Sequence, residues 1–414
     1  MEGPKAISLF SGCGGDTLGL ERAGFKVVAF NEFKKAPIET HLANFPTSVL
    51  IQAEKGIKGI KDITDITKIP DSMFTPYKHK VDVVFAGFPC QGTSSAGKRK
   101  VTDPRNQMFR QFVRVAKAVE PKFVIGENVP GLLSMRSGPT ENDSLMLEQI
   151  RSAFAEIGYT LTYQVLEANE FGVPQKRKRL LIVGWRSGMA LDTASFWASV
   201  SAWGACKTTP KLSSFVVPTL EGALELLPAA IPEEFPTVAL AIPEESEPSG
   251  TPHPFIVLKA NAFGEVYNGK TMNRLLSCSK RDSPIHSEIM NLERDCKTII
   301  CTYDHQPRLL VGLRKPSGKS YVRCLLPDEL KQIQGFPASF ELKGSAKEKV
   351  VQIGNAVPPA LVEAVARQLF LCGGSPVALV VPSAVPQGKK RVIRRQPKKA
   401  PSGDAGTPLQ ETPL

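Results

Sequence analysis

Nowhere in the 414 residues is there an apolar run approaching the roughly 18–20 residues that a membrane span needs. Histidine is scarce, five in all, and the eight cysteines include no Cys-x-x-Cys pair. A structural zinc site and a disulfide scaffold are therefore not expected, and the thiols should be reduced. Residues 1–15 lack a basic start followed by an apolar stretch, so an intracellular location is expected, with no membrane and no metal. Charged residues, at 22%, and hydrophobic ones, at 42%, match ordinary globular usage, which excludes disorder for most of the chain. Lys and Arg exceed Asp and Glu by 52 to 40, a net charge of +12, which favours a polyanionic partner.

What is present is an alternation of strand and helix patterns over the first 186 residues, the mark of an α/β fold with a doubly wound, mostly parallel sheet. Apolar runs predict strands over 6–10, 26–30, 81–86, 122–126, 161–166 and 180–185, several apolar enough for both faces to be covered. Helical spacing predicts helices over 17–23, 108–119 and 144–157. Residues 1–186 are thus expected to form one domain. From 187 to 320 the pattern breaks into short, proline-rich segments, expected as a smaller irregular domain. Its charge is uneven, with seven glutamates and no Lys or Arg between Lys211 and Lys259, then eleven basic against six acidic residues over 259–319. Regular patterning returns over 321–370 and closes with a helix at 359–370. The tail, 371–414, is rich in Pro, Gly and Ser, carries seven basic residues from Lys389 to Lys399, and is expected to be disordered.

Several of these elements end in residues suited to chemistry. The first strand runs into Ser11-Gly12-Cys13-Gly14-Gly15 before a helix, a turn that lets backbone approach a ligand closely. Glu32 follows Gly12 by twenty residues at the end of the next strand, where a carboxylate accepts hydrogen bonds from ribose hydroxyls. A nucleoside-bearing cofactor is the favoured reading, a tight turn with a solvated Glu the alternative. The strand 81–86 leads into Gly87-Phe88-Pro89-Cys90-Gln91, which sets a cysteine at the sheet edge where such folds bind ligands, and Lys98, Arg99 and Lys100 would favour its thiolate. Glu127-Asn128-Val129-Pro130 brings a carboxyl to the same edge, where desolvation should raise its pKa. In Gln175-Lys176-Arg177-Lys178-Arg179, alternation on an extended segment points both arginines to one side, towards a shared target or merely towards solvent. Gly354-Asn355-Ala356-Val357-Pro358-Pro359 opens the closing helix.

Together with Gln334-Gly335-Phe336-Pro337, these elements occur in the order found in the DNA (cytosine-5) methyltransferases, and the chain resembles that family over residues 7–370, the variable lobe excepted. The resemblance implies methyl transfer from S-adenosylmethionine to carbon-5 of a cytosine flipped out of double-stranded DNA, by a monomer that needs no metal. It implies a fold of the S-adenosylmethionine-dependent methyltransferase type, with 187–320 as the target-recognition domain. The catalytic residues it implies are Cys90 as covalent nucleophile, Glu127 at ring nitrogen-3, and Arg177 and Arg179, of which Arg179 is the one nearer the base. The cofactor contacts it implies are Phe10, Ser11, Gly12, Gly14, Gly15, Glu32 on the ribose, Phe33 against the adenine, Asp62 and Ile63 at its edge, Pro89, Met108, Asn355 and Val357. Asp65, in the doubled sequence Asp62-Ile63-Thr64-Asp65-Ile66, is the alternative to Asp62. Residues 91–107 are the expected lid.

Three positions depart from the family pattern: Asp16 stands where an apolar residue is common, Lys34 where an acid often follows Glu32, and Thr93 where an aromatic is frequent. A tRNA-directed branch carries Cys-Phe-Thr in its variable lobe, against Cys301-Thr302-Tyr303 here, so duplex DNA is the expected substrate. A catalytically silent DNA-binding regulator would have lost Cys90 or Glu127, and both stand. The basic tail then reads as a nuclear localisation signal or a DNA tether.

Overall fold

Buried on both faces, the central strands of the first sheet are the reason that its sequence reads as apolar runs. A computed structural model describes residues 3–56, 62–89, 104–138, 143–228, 231, 233–261, 266–267, 270–271, 277–278 and 287–373. The chain runs β1 (Lys5–Leu9), α1 (Gly15–Arg22), β2 (Lys26–Asn31), α2 (Lys35–Asn44), β3 (Val49–Leu50), β4 (Val83–Ala86), α3 (Phe109–Val119), β5 (Phe123–Asn128), α4 (Met146–Glu156), β6 (Tyr159–Glu167), β7 (Gln175–Lys176), β8 (Lys178–Arg186) and α5 (Thr193–Ala205). It continues through β9 (Leu224–Glu225), α6 (Phe235–Val238), β10 (Leu240–Ala241), α7 (Pro254–Asn261), β11 (Val266–Tyr267), β12 (Lys270–Thr271), β13 (Ser277–Cys278), β14 (Glu288–Ile289) and β15 (Cys296–Lys297). It closes with β16 (Leu309–Arg314), β17 (Ser320–Cys324), α8 (Pro327–Ile333), α9 (Ala346–Asn355) and α10 (Pro359–Gly373).

The first sheet has the order β3-β2-β1-β4-β5-β8-β6, parallel from β3 to β5 and antiparallel through β8 and β6. The order in which strands are added to the sheet reverses between β1 and β4, and the crevice beyond the carboxyl ends of strands at such a switch point is where open α/β sheets bind ligands. Ile7, Leu9, Val84, Ala86 and Val124 pack in one layer with α3 and α4. Ala6, Val83, Phe85, Phe123 and Ile125 pack in the other with α1, α5 and α10. The helix α3 shows why: Phe109, Phe112, Val115, Ala116 and Val119 recur at helical spacing and are buried.

All six predicted strands of this sheet, and the three predicted helices, are present to within two residues at each end. The irregular stretch expected from residue 187 instead begins with the thirteen-residue α5. Asp192 caps it by accepting from the Ala194 and Ser195 amides, and Phe196, Trp197 and Val200 bury against the first sheet. Likewise α9 has a capping box between Ser345 and Glu348 that the sequence reading passed over. The region after α5 builds a second, mixed sheet of order β13-β14-β16-β17-β9, with β10 paired to β16. Its core is shared with Leu330 and Ile333 of α8 and Val350 and Ile353 of α9. Among the described residues no helix is long and apolar enough to cross a membrane.

Contact between α1 and α10 is close because α1 presents Gly19 where the two helices meet, one turn after Gly15, which lies against the Val357 carbonyl ahead of α10. A Cβ on Gly19 would lie 2.5 Å from the Pro359 carbonyl oxygen and 2.7 Å from Val362 Cβ. Gly19→Ala is therefore expected to destabilise by about 1–3 kcal/mol through overpacking, more than the helix propensity of alanine returns. A urea midpoint that stays level or rises in this variant would contradict the close packing.

Candidate active site

At the end of β1 the backbone enters the left-handed region at Phe10 (φ 54°), Gly12 (54°) and Gly14 (89°). Glycine meets this at little cost, whereas Phe10 is a strained position of the kind that clusters at ligand sites. The Gly12 amide donates to Glu32 Oε2 at 2.9 Å, and the Phe33 and Lys34 amides donate to Glu32 Oε1, each at 2.9 Å. Glu32 thus ties the ends of β1 and β2 together and is held in one orientation, 7% exposed. Phe33 beside it is 56% exposed, with the Lys34 ammonium 5.7 Å from its ring centroid. Asp62 Oδ1 accepts from the Thr64 amide and hydroxyl, and Thr64 Oγ1 also donates to the Phe33 carbonyl, which ties the Asp62 turn to the Phe33 backbone. Asp65 Oδ1 likewise accepts from the Thr67 amide and hydroxyl, here as the cap of a short helical turn. The Ile63 carbonyl accepts from the Ala53 amide.

Across the switch point, β4 continues into Gly87, Phe88 and Pro89; Cys90, Lys98, Arg99 and Lys100 lie outside the described residues, as do 91–103 of the expected lid. Asn128 at the end of β5 donates to the Phe88 carbonyl at 3.0 Å and so fixes the chain leading to Cys90. Sequence reasoning quoted Asn128 only as a neighbour of Glu127. Glu127 itself faces Gly87, where a Cβ would lie 3.7 Å from Glu127 Oε2 and 3.8 Å from the Phe10 carbonyl. The Arg179 Nε donates to Glu127 Oε1 at 2.8 Å, both side chains being nearly buried. Burial raises the Glu127 pKa above the ordinary carboxyl value despite the opposing charges of Arg179 and Arg177.

A family model described as C-5 cytosine-specific DNA methylase matches residues 4–371. The chain belongs to this family. Among its named relatives, the Type II methyltransferase M1.HphI of Haemophilus parahaemolyticus is 32% identical over 370 residues, covering 88% of this chain and 86% of the relative. M.Eco47II of Escherichia coli, another Type II methyltransferase, is 32% identical over 375 residues, covering 88% and 78%. Two solved structures share the fold. One, described as a DNA modification methyltransferase encoded within an E. coli prophage, has a TM-score of 0.58 at 21% identity over 90% of this chain and 100% of that one. The other, S. pombe Dnmt2, has a TM-score of 0.55 at 16% identity over 89% and 98%.

The protein is therefore a DNA (cytosine-5) methyltransferase, and S-adenosylmethionine is its methyl donor. The residues at the switch point fit that donor: a pinned carboxylate, a largely exposed aromatic ring, and the Ser11 hydroxyl, which is buried and has no hydrogen-bond partner among the described residues. Of the other contacts implied by the resemblance, Met108 packs partly buried against the core, Val357 is 7% exposed with its carbonyl against Gly15, and Asn355 is exposed.

The two arginines of the methyltransferase both lie near Glu127 but do not share a hydrogen-bond partner. Arg177, 1% exposed, donates to the carbonyls of Ile299 (2.7 Å), Gly354 (2.8 Å) and Ala356 (2.9 Å). It holds the Asn355 loop from both sides rather than opening onto the crevice. Gln175 Nε2 donates to Gln334 Oε1 and Gln334 Nε2 to the same Ala356 carbonyl, a buried network that sequence reasoning did not foresee. Arg114 is spent on Asp71 and on the carbonyls of Ile66 and Ile69.

Proposed function

We propose that the methyltransferase acts through a covalent Cys90 adduct, with Glu127 as the acid at ring nitrogen-3 and Arg179 as the group that orients it. The observation that carries this reading is the buried Glu127–Arg179 pair, facing the backbone that leads to Cys90. Carbon-5 of cytosine is too weak a nucleophile to take a methyl group directly. Addition of the Cys90 thiolate to carbon-6 makes the ring electron-rich, and the charge that builds on it is relieved at nitrogen-3 by the Glu127 proton. S-adenosylmethionine supplies an electrophilic methyl group, with Glu32 on its ribose, Phe33 and Asp62 at its adenine, and the turn from Phe10 to Gly15 along its remaining length. Loss of the carbon-5 proton then expels Cys90 and restores the aromatic ring. The target base has to leave the stack to reach these groups, at a cost of a few kcal/mol.

Duplex DNA is favoured over tRNA by the family match and by Cys301-Thr302-Tyr303, whose tyrosine is spent on structure: its hydroxyl donates to the Leu309 carbonyl and accepts from the Leu325 amide. Target choice falls to residues 187–320, and one chain supplies every residue assigned to the site. A nuclear role for residues 389–399 finds no support in relatives from Haemophilus and Escherichia, and an intracellular location with access to DNA suffices.

Incubation with a random duplex library carrying 5-fluorocytosine is expected to trap a covalent complex whose peptide maps to Cys90, because fluorine cannot leave as a proton does. Cys90→Ala should form none. An adduct at another residue, or one formed on tRNA alone, would refute the assignment.

A further inference from the structure

One buried acid beside the donor turn has no part in the mechanism above. Asp16, 2% exposed, stands in the first turn of α1 where apolar residues are common in the family. Its carboxyl reaches back beneath the turn and accepts from the Ser8 hydroxyl of β1. Ser8 follows the alternation of Ala6, and Glu127 that of Phe123 and Ile125, so both project on the sheet face that carries α1. The Asp16 carboxyl accordingly lies under the turn on the same face as Glu127, close enough for the two acids to repel each other. Glu32 marks the ribose end of the donor and Glu127 the end where the base sits. A donor held between them would run along the turn beneath which Asp16 lies, and its sulfonium would bring a positive charge to that stretch.

That sulfur is a cation before methyl transfer and a neutral thioether after it. We propose that Asp16 is a buried counter-charge that makes the donor turn prefer cationic S-adenosylmethionine to its neutral product, S-adenosylhomocysteine, and so favours exchange of spent for fresh donor. The inference rests on the donor placement given under the proposed function. An uncompensated buried carboxyl is costly, and a cationic ligand offsets that cost in a way an apolar side chain at this position cannot.

Burial holds the Asp16 pKa at about 7, against the hydrogen bond from Ser8 and the amides of Asp16 and Thr17. The charge is present above neutrality and lost below it. The other ionisable groups around it are Glu127 from β5, Arg179 and Arg177 beyond it, and Cys13 and Glu32 at the turn. His41 of α2, bonded to Thr17, is kept neutral by burial with a pKa of about 3 and adds no charge.

The test is calorimetric binding of the two cofactors to the intact protein without DNA. Asp16→Asn keeps the shape and an acceptor for Ser8. It is expected to reduce the preference for S-adenosylmethionine by about tenfold, the order expected of one charge pair in a partly buried site, with S-adenosylhomocysteine affinity unchanged. In the wild type the preference should fall from pH 8 to pH 6, and in Asp16→Asn it should be flat. Asp16→Leu, which gives the position an apolar side chain, should show the same loss. An unaltered preference in both variants, or equal weakening of both ligands, would overturn the proposal. If the wild type bound neither ligand, the donor placement itself would be wrong.

Discussion

Glu127→Gln is expected to lower kcat by about 10²- to 10⁴-fold, the usual contribution of a positioned acid, with little change in S-adenosylmethionine affinity. Glutamine has nearly the volume of glutamate and still offers Arg179 an acceptor, so the buried guanidinium is not left bare. What is lost is the proton. Because burial raises the Glu127 pKa, a substantial share of the enzyme holds the acid form at higher pH than a surface carboxyl would. The acid form is the one that donates to nitrogen-3. Wild-type kcat should therefore fall as pH rises through that raised pKa, and this limb should vanish in the Gln variant, whose amide donates at any pH. Single-turnover methylation of a saturating duplex across the pH range checks both points. A variant within tenfold of wild type, or one that keeps the same alkaline limb, would remove Glu127 from the chemistry.

Arg323→Met is expected to cost about 3–5 kcal/mol of stability, because it leaves a carboxylate uncompensated in the interior. Arg323 and Glu329 are 0% and 1% exposed and form a bidentate pair, Nη2 to Oε1 at 2.7 Å and Nη1 to Oε2 at 2.8 Å. The guanidinium also donates to the Val217 and Thr219 carbonyls, and the carboxylate accepts from the Val217 and Leu326 amides. One pair thus fastens the strand β17, the start of α8 and the segment at 217–219. Adding Glu329→Gln to Arg323→Met removes the stranded charge and should recover part of the loss. Thermal melts of the single and double variants decide it: a single variant that melts like the wild type would show the pair to be dispensable.

The first sheet was legible in sequence for a physical reason. Its central strands are covered on both faces, so β4 reads as four consecutive buried apolar residues, and strand ends carry the glycines and acids of the site. Glu32 was legible from its distance to Gly12, because two adjacent parallel strands must end side by side. The helix α5 was not, since its Ala- and Ser-rich sequence gives a weak apolar stripe and its only start signal is the single capping Asp192. Parity misled at Arg177. Its amide bonds back to the Gln175 carbonyl, so the segment is not a continuous strand there, and its true partners lie 122 and up to 179 residues away. Asp62 and Asp65 could not be told apart in sequence, because each accepts from the amide and hydroxyl of the threonine two residues on; they differ in that Asp65 caps a helical turn while Thr64 beside Asp62 also reaches the Phe33 carbonyl.

That long-range arginine has a bearing on how the protein is made. The Gly354 carbonyl that Arg177 grips emerges from the ribosome 177 residues after the arginine itself, roughly 10–35 s later at ordinary synthesis rates. Until then the guanidinium has no interior partner at that end and the Asn355 loop does not exist. A chain that has not yet reached residue 356 therefore lacks the partners that hold Arg177 and the loop it grips.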